Sequence, residues 1–306
     1  MEFNHSPLQE IHESFFDDAG VKVFVKRLDL MHPYISGNKW FKLKYNIKEA
    51  KTQNKDTILT FGGAYSNHIL ATAAVGKEYG LRTIGIIRGE QHLPLNPMLA
   101  FAKKCGMGLH YTDRKHYRKK EDSHFIQRLK NRYGNFYLIP EGGANYLGVK
   151  GSMEIIKEIE IPFDYIACDC GTGTTIAGIS LSLNNGQEAI GIPVLKGAEF
   201  LHPKAIDLIN DYKTFEGTIN EKSSYNENFK LFYDYHFGGY AKSNATLEIF
   251  IQEFQTKHKI PIEPVFSGKL FYAIYDLIKQ EYFKRGSTIV ILHSGGLGIN
   301  QQQSTS

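Results

Sequence analysis

Lysine follows glycine and asparagine at Gly37-Asn38-Lys39, and a helical pattern starts there. Trp40, Leu43 and Ile47 recur at spacings of three and four, with Lys42, Lys44 and Lys48 between them. Glycine and asparagine give a turn, which puts Lys39 at or near the N-terminus of the helix. The positive end of a helix dipole disfavours a cation and lowers the cost of a neutral amine. A neutral lysine is a nucleophile of the kind that forms a Schiff base with a carbonyl group. Taken alone, the same lysines also read as one solvated helix face.

A second stretch changes the balance. The apolar strand Thr57-Ile58-Leu59-Thr60-Phe61 runs into Gly62-Gly63, then into Ser66-Asn67-His68, then into the helical run Ile69-Leu70-Ala71-Thr72-Ala73-Ala74-Val75. Ser66 or Asn67 is a natural helix N-cap. A capped end alone does not require Ser, Asn and His in a row. A third stretch, Cys170-Gly171-Thr172-Gly173-Thr174-Thr175, stands between an apolar strand and a helix. Glycines let backbone amides approach an anion, threonine hydroxyls add donors, and a helix N-terminus adds field, which is what a phosphate needs. It is no Walker loop, because no lysine follows in place. It is no dinucleotide fingerprint either, because Gly171 and Gly173 are followed by Ile176. A plain glycine-rich turn is the alternative.

Gly37-Asn38-Lys39-x-x-Lys42-Leu43-x-Tyr45 followed by Gly62-Gly63-x-x-Ser66-Asn67 resembles the family of 1-aminocyclopropane-1-carboxylate deaminase and D-cysteine desulfhydrase. These are pyridoxal-phosphate enzymes of the tryptophan-synthase β type. Later segments match too, so the resemblance covers nearly the whole chain. It implies pyridoxal 5'-phosphate as cofactor, Lys39 as its Schiff-base lysine and Asn67 on its phenolic oxygen. It also implies that Gly171, Thr172, Gly173, Thr174 and Thr175 hold the phosphate, and that Ser66 and His68 face the substrate carboxylate. Phe237-Gly238-Gly239-Tyr240-Ala241-Lys242-Ser243 resembles a loop that offers a tyrosine to the substrate, which nominates Tyr240. His293-Ser294-Gly295-Gly296 resembles a loop near the ring.

The chain departs from the family pattern at Glu263-Pro264-Val265-Phe266-Ser267. The deaminase pattern has a tyrosine where Phe266 stands, which D-cysteine desulfhydrases share, and a carboxylate toward the pyridine nitrogen where Ser267 stands. Phenylalanine has no proton to give. A serine hydroxyl cannot hold a proton on that nitrogen as a carboxylate can, so the ring is a weaker electron sink, which suits elimination. β-Elimination from D-cysteine or a related amino acid is therefore expected over ring opening, with the deaminase as the alternative. A non-catalytic amino-acid-binding protein on the same fold is a further alternative.

Length and composition agree with this. The 306 residues, 42% hydrophobic and 22% charged, are enough for two lobes with cores of their own. A net charge of +4 with no dense basic block does not suggest nucleic acid, and a mild positive excess fits anionic ligands. Cys105, Cys168 and Cys170 are too few and odd in number for a disulfide framework, which indicates a reducing, cytoplasmic setting. Cys168 and Cys170 alternate on a strand and read as buried small residues; no metal site is expected. The N-terminus is not a secretory signal, no apolar run reaches membrane-span length, and the polar tail 301–306 reads as frayed.

Strand and helix signals alternate along the chain. Strands are expected at 21–27, 57–61, 83–87, 109–112, 136–139, 163–168, 189–194 and 287–293. Helices are expected at 69–79, 98–105, 125–133, 148–159, 175–183, 245–256 and 268–282. The charged run 114–121 reads as a surface connection, and 196–235 as irregular. The fold class is α/β with mostly parallel twisted sheets and right-handed crossovers. The resemblance sharpens this to the two-lobed fold type II. There a small inserted α/β lobe, residues 42–147, packs against a large lobe from residues 1–41 and 148–306, and the protein is a homodimer.

Overall fold

A computed structural model describes residues 3–35, 37–217 and 228–296. Ser36 of the lysine motif and the tail 301–306 lie outside the described residues.

The alternation of elements resolves into two sheets. The strands are β1 (Leu8–Ile11), β2 (Lys22–Lys26), β3 (Thr57–Gly63), β4 (Arg82–Arg88), β5 (Gly108–Thr112), β6 (Tyr137–Ile139), β7 (Tyr165–Cys170), β8 (Glu188–Pro193), β9 (Phe229–Leu231) and β10 (Thr288–Leu292). The larger sheet runs β1-β2-β10-β7-β8-β9 and the smaller β5-β4-β3-β6. Every pairing is parallel except β1 with β2.

Parallel strands are covered on both faces, so they read as nearly continuous apolar runs. β10 shows how this works. Ile289 and Ile291 enter one core layer with helix Ser267–Lys279, while Val290 and Leu292 enter the other with helix Thr174–Ser180. Each such side chain, fully buried, contributes about 1.5–3 kcal/mol. β7 follows the same period, with Cys168 and Cys170 buried together on one face and free. In the smaller sheet Ile58 packs on one side and Leu59 and Phe61 on the other.

Several parts differ from the sequence reading. Residues 196–235 contain the helix Leu201–Glu216, whose Leu201, Ala205, Leu208 and Ile209 pack on the larger sheet. The charged run after β5 is not a plain surface connection. Asp113 caps a short helix, Arg114–Tyr117, and Tyr117 is buried. The expected helix 148–159 is a helix, Tyr146–Met153, continued as the 3-10 turn Glu154–Glu158. Among the described residues no helix is long and apolar enough to cross a membrane.

Candidate active site

The C-terminal ends of β3, β4, β7 and β8 open onto one cavity of about 350 Å³, lined from both sheets. Ligands collect at this end of parallel α/β sheets, because strand-to-helix loops deliver glycines and helix N-termini there.

Lys39 enters the cavity from the start of helix Asn38–Thr52. The turn before it requires glycine: Gly37 has φ 63°, and a Cβ there would lie 1.6 Å from the Ser294 carbonyl oxygen. The 293–296 loop therefore fixes where the lysine helix begins. That loop is itself held, because the Ser294 hydroxyl donates to the buried Asp169 carboxylate and His293 Nε2 donates to the Pro261 carbonyl at 2.6 Å. Lys39 Nζ donates to Asn38 Oδ1 at 2.5 Å, and Asn38 Nδ2 donates to Thr175 Oγ1 at 3.0 Å. Burial lowers the Lys39 pKa, opposed by the Asp169 and Glu263 carboxylates. Burial, rather than the helix dipole, leads the shift toward the neutral amine.

Lys42 stands one helical turn on, faces the same cavity and is 5% exposed. Burial and the neighbouring Lys39 push its pKa down to about 7. Among the described residues it has no ion-pair partner, so an anion in the cavity would favour its charged form.

Ser66, Asn67 and His68 line the side of the cavity built by the smaller sheet. Ser66 caps helix Asn67–Tyr79, its Oγ accepting from the Ile69 N–H at 3.3 Å. His68 is 3% exposed and its Nε2 lies 2.9 Å from Thr60 Oγ1. The Thr60 hydroxyl gives its proton to the Ile139 carbonyl at 2.8 Å, so His68 Nε2 must be the donor. That leaves His68 Nδ1 as a bare acceptor, buried with no partner among the described residues. Burial, then Lys39 and Lys42, push the His68 pKa down to about 3. In this neutral form Nε2–H is taken up by Thr60 and Nδ1 is left able to accept a hydrogen bond from the cavity that His68 lines.

On the opposite side Gly171, Thr172, Gly173 and Thr175 line the cavity. Gly173, at φ 79°, precedes helix Thr174–Ser180, and no side chain caps that helix. Thr174 is fully buried and does not line the cavity; its Oγ1 lies 3.1 Å from Thr172 Oγ1. Tyr240 and Phe266 close the cavity, their rings 5.9 Å apart at 75°. Ser267 is fully buried behind Phe266 and does not line the cavity. Its Oγ accepts from the Glu263 N–H at 2.8 Å, and only the Glu263 oxygens, at 3.3 and 3.5 Å, lie near its own proton. Burial pushes the Glu263 pKa up to about 6, against three backbone N–H donors at its carboxylate.

Several lining residues escape sequence reading. Arg88 ends β4, and its guanidinium lies 5.8 Å above the Tyr117 ring. Tyr117 OH donates to Glu141 at 2.8 Å, and Lys120 pairs with Glu141 at 3.4 Å. Asp169, Phe200 and Lys204 also line the cavity. Lys42 stood in the lysine motif; the others come from five separate parts of the chain that share no local pattern.

This donor set fits pyridoxal phosphate. A lysine driven toward its neutral form suits an aldehyde. A buried unpaired ammonium beside uncapped amides and a threonine hydroxyl suits a phosphate dianion. Comparison with known proteins points the same way. The family described as "Pyridoxal-phosphate dependent enzyme" matches residues 3–295. A putative 1-aminocyclopropane-1-carboxylate deaminase of Pyrococcus horikoshii is 32% identical over 289 residues, which is 92% of this chain and 86% of that protein. A bifunctional D-cysteine desulfhydrase/1-aminocyclopropane-1-carboxylate deaminase of Arabidopsis thaliana is 28% identical, over 91% of this chain and 73% of its own. The crystal structure of an ACC deaminase homologue superposes with a TM-score of 0.83 at 30% identity, covering 96% of this chain and 90% of its own. With the lysine, the anion loop and the Ser-Asn-His turn around one cavity, the chain belongs to the pyridoxal-phosphate dependent enzyme family.

Proposed function

We propose that the chain is a lyase that eliminates sulfide from D-cysteine, or the equivalent leaving group from a related β-substituted amino acid. The observation that carries this is the pairing of Lys39, driven toward the neutral amine, with a cavity whose aromatic wall at Phe266 lacks a hydroxyl. Pyridoxal phosphate supplies an electron sink for the substrate Cα when bound. Lys39 would hold the cofactor, and its amine is the group placed to take the α-proton. Asn67 would donate to the cofactor's phenolic oxygen. Gly171, Thr172, Gly173 and Thr175 hold the phosphate with Lys42, and Thr174 steadies Thr172. Ser267 is the residue that would meet the ring nitrogen, its hydroxyl proton lying near Glu263 without the cofactor. Ser66 binds the substrate carboxylate, and His68 Nδ1 accepts a hydrogen bond from a donor on the substrate side. Tyr240 supplies the hydroxyl that Phe266 lacks. The net reaction takes D-cysteine and water to pyruvate, ammonia and hydrogen sulfide.

Ring opening of 1-aminocyclopropane-1-carboxylate to 2-oxobutanoate and ammonia is the second reading. It is favoured by Tyr240, which brings a hydroxyl to the cavity rim beside Phe266. Cyclopropane offers no leaving group, so that reaction leans more heavily on the groups this chain lacks. A non-catalytic amino-acid binder is the third. The test is side by side on the cofactor-loaded protein, measuring sulfide and pyruvate from D-cysteine against 2-oxobutanoate from the cyclic substrate. Faster turnover of the cyclic substrate reverses the choice, and turnover of neither favours the binder.

The same reading includes a small lobe of residues 42–147 against a large one of 1–41 and 148–306, a homodimer, and a cytoplasmic location in keeping with three free thiols.

A further inference from the structure

Lys269 lies in helix Ser267–Lys279 and is fully buried, at 0% exposed. A buried ammonium is tolerated when its donors are met. Lysine has three, and three acceptors surround it, all main-chain carbonyls: Gly239 at 2.7 Å, His236 at 2.8 Å and Val194 at 3.3 Å. Burial pushes its pKa down to about 8, against the attraction of Glu263. A methionine would fill the same space without the cost of burying a charge. What an ammonium adds is three fixed donors.

Two of those carbonyls belong to the loop that carries Tyr240. Its backbone is left-handed at Phe237, Gly238, Gly239 and Ala241, with φ of 50, 91, 116 and 54°. Phe237 and Ala241 have side chains, so this conformation persists only where the surroundings hold it. The loop's own bonds are few. Gly238 N–H donates to His236 Nδ1 at 2.9 Å, Gly239 N–H to the His236 carbonyl at 2.9 Å, and Lys242 N–H to the Gly239 carbonyl at 3.1 Å. The third carbonyl, at Val194, belongs to the cavity wall just after β8. One ammonium thus ties the loop both to the wall and to the helix whose start carries Phe266 and Ser267.

We infer that Lys269 is a positioning residue whose ammonium latches the 236–240 loop, so that the Tyr240 hydroxyl stands at the cavity. The inference rests on the reading that Tyr240 serves the substrate.

The test compares Lys269→Met, Tyr240→Phe and the double variant as cofactor-loaded protein, by hydrogen exchange and by steady-state kinetics. In Lys269→Met the amides of 236–242 exchange about tenfold faster or more, while those of β10 and helix Asn67–Tyr79 keep wild-type rates. Each single variant loses about tenfold or more in kcat/KM, and the double loses no more than about twofold beyond Tyr240→Phe. Unchanged exchange in the loop overturns the latch. Losses that multiply in the double variant overturn its action through Tyr240. A Tyr240→Phe variant with full activity overturns the Tyr240 reading, and with it the functional half of the inference, while exchange still judges the latch. If Lys269→Met does not fold, Lys269→Gln, which keeps amide donors, takes its place and is expected to show the same direction with a smaller change.

Discussion

Two turns of the same construction face each other across the cavity. One runs from β3 through Gly62-Gly63 into helix Asn67–Tyr79, the other from β7 through Gly171 and Gly173 into helix Thr174–Ser180. They differ at the cap. Ser66 covers its own helix, with its Oγ on the Ile69 N–H. Gly173 has no side chain to cover the other. An uncapped start leaves amides for a ligand, and a capped one has already given an acceptor to them. The cations sort the same way. Burial and Lys39 lower the Lys42 pKa, and the opposing attraction comes first from Asp169, on the strand end that feeds the uncapped loop. On the proposed reading, the uncapped turn takes the cofactor phosphate and the capped turn the substrate.

The comparison can be broken, and Lys39, which stands between the two turns, is where the largest effect is expected. Lys39→Ala keeps the fold, shown by an unchanged circular dichroism spectrum, and loses at least about a thousandfold in turnover, the scale of a general base. Retained turnover would remove Lys39 from the chemistry.

Next, Thr175→Ala and Ser66→Ala should separate. Losing one charge-assisted hydrogen bond costs roughly 1.5–3 kcal/mol, so Thr175→Ala weakens cofactor binding about ten- to a hundredfold. Ser66→Ala leaves cofactor binding within about twofold and raises the KM for the amino acid instead. Equal effects on cofactor affinity, read by equilibrium dialysis, would erase the distinction between the turns.

A smaller effect belongs to Lys42. Its pKa falls from 10.5 to about 7 in the folded, cofactor-free protein. Between those values the unfolded chain binds more protons, so stability rises with pH across that window and is lost as pH falls through about 7. The slope reaches at most about 1.4 kcal/mol per pH unit. Thermal melts of cofactor-stripped protein at several pH values should show it, and Lys42→Met should flatten it. An unchanged slope in the variant would mean that the fold does not depress the Lys42 pKa.

How much of this was legible depended on how local the cause was. β10 and β7 announce themselves because nearly every residue is apolar and every second one shares a face. The lysine turn and the two glycine turns are likewise contiguous in sequence. Helix Leu201–Glu216 was missed although Leu201, Ala205, Leu208 and Ile209 keep helical spacing, because Gly197 and Pro203 interrupt the pattern at its start. β9 has three residues, too few for any period to show. Arg88, Lys120 and Glu141 meet only through the packing of β4, the run after β5 and the turn after β6. The His68 tautomer was equally out of reach, since it is set by Thr60 and, through it, by the Ile139 carbonyl of another strand. Burial of Lys39, which outweighs the dipole argument that singled it out, is also a property of the whole cleft.

The central claim is that one lysine of the pair holds the cofactor and the other holds its phosphate. Borohydride reduction of the cofactor-loaded protein, followed by peptide mass mapping, tests this directly. The account predicts a phosphopyridoxyl adduct on Lys39 and an unmodified Lys42. An adduct on Lys42, or on neither lysine, would contradict it.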